Sequence, residues 1–154
     1  MNDRKTAMLC DTTVYTNGDL VKNLSTSTEY FITGLQKSTA GAIQAQLLKV
    51  NCTVDVVRLT QVFDAGKPTG KYTETVLYSG VGASYTDVTA QMKLYDSGLL
   101  STSTRKFILP VLSGVKLLDR IKFGTEVCQI DDVNLTNNEG LLTIQTSIDK
   151  RKVS

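Results

Sequence analysis

The sequence predicts a mainly β fold: a small antiparallel β-barrel or sandwich with long hairpin loops and a short N-terminal helical segment. Three observations lead there. Threonine recurs beside valine, isoleucine and tyrosine, in neighbourhoods that suit a pleated strand. After Asn51 apolar and polar residues alternate over much of the chain. Turn signals then recur at close intervals and separate about six runs of strand character. The 154 residues suit one domain with a small appendage. They divide into an N-terminal extension over residues 1–50 and a β-barrel domain over residues 51–154.

The extension has its own texture. Asn17-Gly18, between Val14-Tyr15 and Leu20-Val21, signals a turn or hairpin. "STSTEYF" offers hydroxyl N-caps, with Glu29 placed for a capping box. From Ser38 onward, Ala40, Ile43, Leu47 and Val50 recur three and four residues apart, with Gln44, Gln46 and Lys49 between them. That spacing predicts a short amphipathic helix, capped by Ser38 and packing its apolar stripe on the core.

Beyond Asn51 the period changes to two. "CTVDVVRLTQVF" reads as a strand carrying Val54, Val57, Leu59 and Phe63. A turn-rich loop, Asp64 to Tyr72, follows with Gly66, Pro68 and Gly70, and "TETVLYSGVG" returns to close a long hairpin. "ASYTDVTAQMKLYDSGLLSTST" predicts a further strand from Asp87 to Leu94 and an exposed loop from Asp96 to Thr104. "RKFILPVL" is a short strand stopped by Pro110. "DRIKFG" and "TEVCQIDDV" form a hairpin around Gly124-Thr125, and "NLTNNEG" is a loop. In the last strand Leu142, Ile144, Thr146 and Ile148 share one face, with Thr143, Gln145 and Ser147 on the other.

The residues argue against chemistry. Histidine is absent, which removes the commonest general base and metal ligand. Cys10, Cys52 and Cys128 lie far apart without metal or disulfide spacing, so they read as buried free thiols in a reducing compartment. Asp131 and Asp132, adjacent at a strand end, point to opposite faces and read as turn residues. "DDVNLTNNEG" places Val133 and Leu135 where a calcium loop needs oxygens. "GVGAS" lacks a phosphate-binding fingerprint and reads as a bulge or bend at a strand end. No cofactor, substrate or enzyme activity is expected.

Net charge is +2 and the basic residues are scattered, apart from Lys150-Arg151-Lys152. Tyr72, Tyr78, Tyr85 and Tyr95 are not interleaved with basic clusters, so a dedicated nucleic-acid face is not expected. The N-terminal "MNDRKTAMLC" has no apolar stretch of signal-peptide type, and no run approaches the ~18 apolar residues of a membrane helix. A soluble protein made in a cytoplasm is the expectation.

From Cys52 to Arg151 the order of features resembles a known family. "VDVVRLT", the loop "DAGKPTGKYTETV" and then "FILPVLSGVKLLDRIKFGTEVCQIDDVNLTNNEGLLTIQTSIDKR" are similar to the head-closure proteins (stoppers, or head-completion proteins) of tailed bacteriophages. Asp119-Arg120-Ile121 stands at the family's D-R-I turn, Phe123 to Val127 at its hairpin, and Leu142 to Arg151 at its basic-ended last strand. Residues 1–50 lie outside the resemblance, and Cys128-Gln129 stand where an aromatic residue is usual.

The resemblance implies a small β-barrel in the virion neck, at the head–tail junction. Its implied partners are copies of itself in a ring, the portal or adaptor, and tail or tail-terminator proteins. It would meet packaged DNA only through non-specific contact in the channel. A tail terminator or other neck component is the alternative of the same kind, and a small β-barrel module for nucleic acid or peptide is the alternative of a different kind. Two segments are the candidate interaction loops: the tip Lys67, Pro68 and Thr69, and the stretch Asp96, Ser97, Gly98, Leu99 and Leu100 within residues 84–104.

Overall fold

A computed structural model describes residues 3–9, 14–135 and 137–154. Its strands form two sheets and the fold is mainly β. The first sheet holds β1 (Arg4–Leu9), β2 (Leu20–Lys22), β3 (Glu29–Lys37) and β4 (Ile43–Lys49) in the antiparallel order β1-β4-β3-β2.

This sheet replaces both helical features expected there. Read with a period of two, the segment from Ile43 puts Ala45 and Leu47 in an apolar cluster with Tyr30 and Ile32, while Gln44 and Gln46 stay exposed. Ser38 is a turn residue rather than a cap: its N–H donates to the Ala42 carbonyl at 2.8 Å, and Gly41 supplies a positive φ. Likewise "STSTEYF" enters β3, whose Tyr30-Phe31-Ile32-Thr33 run is aromatic and β-branched. The turn at Asn17-Gly18 forms, but Val14-Tyr15 does not pair with β2. Instead the Gly18 N–H donates to the Ile32 carbonyl at 2.7 Å, and β2 pairs with β3.

The second sheet holds β5 (Cys52–Asp64), β6 (Lys67–Asp87), β7 (Arg105–Pro110), β8 (Arg120–Phe123), β9 (Glu126–Asn134), β10 (Leu141–Ile148) and β11 (Lys152–Val153). Six of them, β5-β6-β7-β10-β9-β8, pair in a closed cycle because β6 bonds to β5 over its first part and to β7 over its last. The core inside includes Val54, Ala83, Phe107, Leu109, Ile121, Ile130 and Ile144. A bend lets β6 serve two neighbours: Gly80 takes a positive φ, and the Asp55 carboxylate accepts from the Gly80 N–H at 2.8 Å and the Ser79 hydroxyl at 3.0 Å. "GVGAS" is therefore strand interior rather than strand end.

The strand expected from Asp87 to Leu94 is instead the end of β6 followed by a helix, α1 (Ala90–Tyr95). Thr89 caps it, its hydroxyl accepting from the Met92 N–H at 3.2 Å, and Ala-Gln-Met-Lys-Leu are good helix formers with no β-branched residue among them. The segment from Leu141 to Thr146 in β10 is buried on both faces, not one.

The loop Asp64 to Tyr72 is shorter than expected. The turn is Ala65-Gly66 alone, both at positive φ as a two-residue hairpin requires, and β6 starts at Lys67. The β7 stop at Pro110 and the β8–β9 hairpin around Gly124-Thr125 match expectation. In β9, however, a register shift opposite Gln145/Thr146 leaves Asp131 as an extra residue. Both aspartates lie within the strand, between the core-facing Ile130 and Val133, so they share its outer side.

The first sheet packs on the outside of the second. Phe31 and Leu48, paired across β3 and β4, are buried on the face away from the first cluster. Between the sheets a cavity of about 250 Å³ is bordered by Leu48 on one side and Ser84, Lys106 and Ile108 on the other. At the other contact Asn17-Gly18 touches Gly140, and the Asn17 amide donates to Glu139 at 3.0 Å. A Cβ on Gly140 would overlap the Asn17 carbonyl, and Gly140 already has a positive φ. Gly140→Ala is therefore expected to destabilise the protein by more than about 1 kcal/mol in urea unfolding. Gly70→Ala, at positive φ but in open space, should cost only the backbone strain of roughly 1 kcal/mol.

Candidate functional site

The most distinctive surface feature follows from unequal strand lengths. β5 pairs with β8 only over Asp55–Val57, yet its pairing with β6 continues to Asp64. From Arg58 to Thr75 the two strands leave the closed cycle as a ribbon, roughly 20 Å long at ~3.3 Å per residue. Residues 63–71 are all exposed, and Phe63, facing Pro68 across the ribbon, keeps 61% of its surface in water.

The tip residues Lys67, Pro68 and Thr69 stand here, in the strand rather than in a loop. Lys67 pairs with Asp64 across the turn. Thr69 is less free than its exposure suggests. Its hydroxyl donates to the Val62 carbonyl at 2.8 Å and accepts from the Lys71 N–H at 3.3 Å, which ties the strands together near the tip.

The root of the arm is clamped by two adjacent residues, Asp119 and Arg120. Asp119 is buried and takes a bidentate pair from Arg58 of β5, at 2.8 and 2.7 Å, plus the Lys116 N–H at 2.8 Å. Arg58 also donates to the Gly114 carbonyl at 2.6 Å. Arg120 is 3% exposed and donates to three acceptors: Asp149 at 2.8 Å, Glu74 of β6 at 2.7 Å and the Arg151 carbonyl at 2.8 Å. Lys122 also pairs with Glu74, and Arg151 closes on Asp149 at 2.9 and 2.7 Å while lying over the Tyr72 ring. Next to it β11 adds to β6 in parallel, Lys152 beside Lys71 and Val153 beside Tyr72.

These contacts set the electrostatics. Burial alone would raise the Asp149 carboxyl, but hydrogen bonds from Arg151 and Arg120 overcome it and hold the group well below the carboxylate range. Glu74 is lowered in the same way: burial opposes, and the bonds from Lys122 and Arg120 prevail.

The second candidate segment lies elsewhere. Asp96, Ser97, Gly98, Leu99 and Leu100 follow α1 and are pinned to β10 by Gln145, which accepts from the Leu100 N–H at 2.8 Å and donates to the Gly98 carbonyl at 2.7 Å. The Asp96 side chain accepts from the Gly98 N–H, and Lys93 donates to the Ser101 carbonyl at 2.6 Å. Leu99 is half-buried, Leu100 is exposed, and on the adjoining helix Leu94 and Tyr95 are 83% exposed. Among the described residues no hydrogen bond or ion pair joins this loop to the arm.

The aspartate pair of β9 is occupied in part: Asp131 accepts from Gln129 at 3.0 Å and Asp132 from Gln145 at 3.4 Å. Among the described residues no group of His, Cys, Asp and Glu is placed to hold a metal ion. Cys52 and Cys128 are free thiols, and burial pushes Cys52 up to about 11 and raises Cys128. Cys10 and Thr136 lie outside the described residues. No helix among them is long and apolar enough to cross a membrane.

Phe63 and Gln145 are the residues sequence reasoning missed, and Arg120, singled out there only within the D-R-I turn, was not foreseen as the hub of buried ion pairs. Phe63 continued the apolar alternation of β5, and only its nearness to the turn set it apart.

The clamp makes stability sensitive to acid. Folded Asp149 and Glu74 sit below their ordinary values of 3.8 and 4.5, so their contribution is complete above those values and is lost as pH falls through the folded ones. Urea midpoints should hold steady from about pH 7 to about pH 5 and drop below, with a smaller acid drop in Asp149→Asn. Arg120→Met, which leaves Asp149 and Glu74 without their shared partner, is expected to cost about 3 kcal/mol. Gln145→Leu should speed hydrogen exchange at Leu100 and cost roughly 1–2 kcal/mol, leaving the arm's exchange unchanged.

No family model matches the chain, and no curated protein matches it.

Proposed function

We propose that this protein is a structural subunit of a tailed-phage head–tail junction, of the head-closure type. It would assemble as a ring beneath the portal or adaptor, close the DNA channel, retain the packaged genome and dock the tail. In this reading the closed six-strand cycle is the β-barrel of such a subunit.

One observation carries the proposal: an exposed hairpin arm whose root is held by buried ion pairs built from the "DRI" turn that motivated the resemblance. A projecting arm offering an aromatic to solvent suits a subunit that binds neighbours. The cations fit a loose relation to DNA. Arg58, Arg105, Arg120 and Arg151 are each paired with a carboxylate of the same chain. A channel wall that held phosphates tightly would resist passage of the genome.

Negative-stain images and mass photometry of the purified full chain are expected to show rings. Binding to double-stranded DNA at physiological salt should be weaker than micromolar. A strict monomer with salt-sensitive micromolar DNA affinity would overturn the proposal in favour of a nucleic-acid module. Rings that bind isolated tails but not DNA-filled heads would overturn it in favour of a tail terminator.

A further inference from the structure

We infer that the arm's tip docks into the Asp87–Arg105–Glu126 cleft of a second copy of this chain, linking copies head to tail. The inference deepens the structural reading above and rests on its self-assembly.

Register separates the arm from the Asp87–Arg105–Glu126 mouth of the cleft, while the cleft's Ile148 wall reaches Asp149 at the arm's root. The arm leaves beyond Val57, where β8 begins at Arg120. The cleft lies where β6 ends at Asp87 beside Arg105, where Glu126 opens β9 opposite Phe123, and where Ile148 of β10 meets Cys128. On β5 that end is marked by Cys52, which pairs with Ala83. Among the described residues no hydrogen bond or ion pair joins the tip, residues 63–69, to Asp87, Arg105 or Glu126 of the same copy, so docking is drawn between two molecules.

The two surfaces match in chemistry. The cleft encloses about 570 Å³, and Val127 and Ile148 form its apolar wall, with Ile148 66% exposed. Arg105 bonds Asp87 at 2.9 Å and also pairs with Glu126, lying over the rings of Phe123 and Tyr85. Two carboxylates thus share one guanidinium, which leaves the cleft with a surplus negative charge. The tip carries Lys67 and Lys71 against Asp64, a surplus positive charge, around the exposed Phe63. Docking would cover the large apolar side chain of each surface and pair the lysines with the carboxylates. A contact between different patches is heterologous, and it closes into a ring when the rotation between copies allows. A single arm in a single cleft is a small interface that holds two copies weakly, and closure, which gives every subunit two such contacts, strengthens the assembly.

The test uses three full-length chains in sedimentation velocity over a concentration series: wild type, Phe63→Asp (no arm contact) and Ile148→Asp (no cleft contact). Both substituted side chains are exposed, so melting temperatures should match wild type. Wild type is expected to assemble, and each variant alone should associate roughly thirtyfold or more weakly, the loss typical of a central aromatic or its pocket. An equimolar mixture of the two variants should give a one-to-one dimer and nothing larger, since one intact arm–cleft pair remains. Lys67→Glu should weaken assembly, and adding Glu126→Lys in the same chain should restore it. If wild type assembles and Phe63→Asp assembles equally well, the docking is wrong and the self-assembling reading stands. Oligomers larger than a dimer in the mixture would also overturn the docking, because each variant would then have kept both of its contacts. A wild type that stays monomeric throughout overturns both.

Discussion

Arg120 is the residue on which the architecture of the second sheet turns. A guanidinium that is 3% exposed cannot shed its proton, so its burial is tolerable only with acceptors on every side. Those acceptors come from three places in the chain: Glu74 in β6, Asp149 just after β10 and the Arg151 carbonyl before β11. Misplacing any of them would strand a charge in low dielectric. The cluster therefore specifies how the arm, the last strand and the chain's end meet, more than it adds net stability. Apolar side chains of equal volume could fill the same space without that demand for register.

Asp119 applies the same logic to the opposite side of the arm. Because neighbours in extended chain point apart, the dipeptide Asp119-Arg120 grips β5 through Arg58 and β6 through Glu74. Both strands of the ribbon are thus fixed just beyond the point where β5 parts from β8. A two-stranded ribbon alone is marginal in water. The clamp, the parallel addition of β11 and the Thr69 cross-link let it extend without a sheet around it. An arm held in this way loses little conformational freedom when it meets a partner, which favours binding through a small tip.

The parts of this fold legible in sequence are those where local pattern and tertiary environment agree. β7, the β8–β9 hairpin and the long β5–β6 hairpin were legible because apolar and β-branched runs flank a turn signal or a proline stop, even though β5, β6 and β9 carry register shifts. The first sheet was not legible as strands. Ala40, Ile43, Leu47 and Val50 fit a helical period, whereas Ile43, Ala45 and Leu47 fit a strand, and only packing against Tyr30 and Ile32 decides. Thr143 and Gln145 looked solvent-facing by composition, yet both are buried because other chain segments cover the outside of β10. The aspartates of β9 were misjudged because strict alternation assumes no bulge, and one extra residue moved both to the same side. For the interaction sites, turn chemistry located the tip Lys67-Pro68-Thr69 but not Phe63. Whether an apolar residue in β5 meets the core or the solvent depends on where β8 stops, which is a property of the whole fold.

The distribution of charge joins these observations. Arg58, Arg120 and Arg151 are used at the arm's root, and Arg105 in the cleft faces two carboxylates. Arginine's planar fork suits such fixed multi-acceptor sites, while lysine's flexible ammonium suits a wetted surface. The division is visible here: paired arginines at the arm's root and in the cleft, and lysines Lys67 and Lys71 on the exposed arm. Within a net charge of +2 the two patches differ in sign: the tip holds Lys67 and Lys71 against Asp64, and the cleft holds Asp87 and Glu126 against Arg105. Polarity of that kind orients copies before they touch, since like patches repel and unlike patches attract over about a Debye length. On the proposed docking, it would favour ordered head-to-tail contact over unspecific clustering through the exposed apolar side chains.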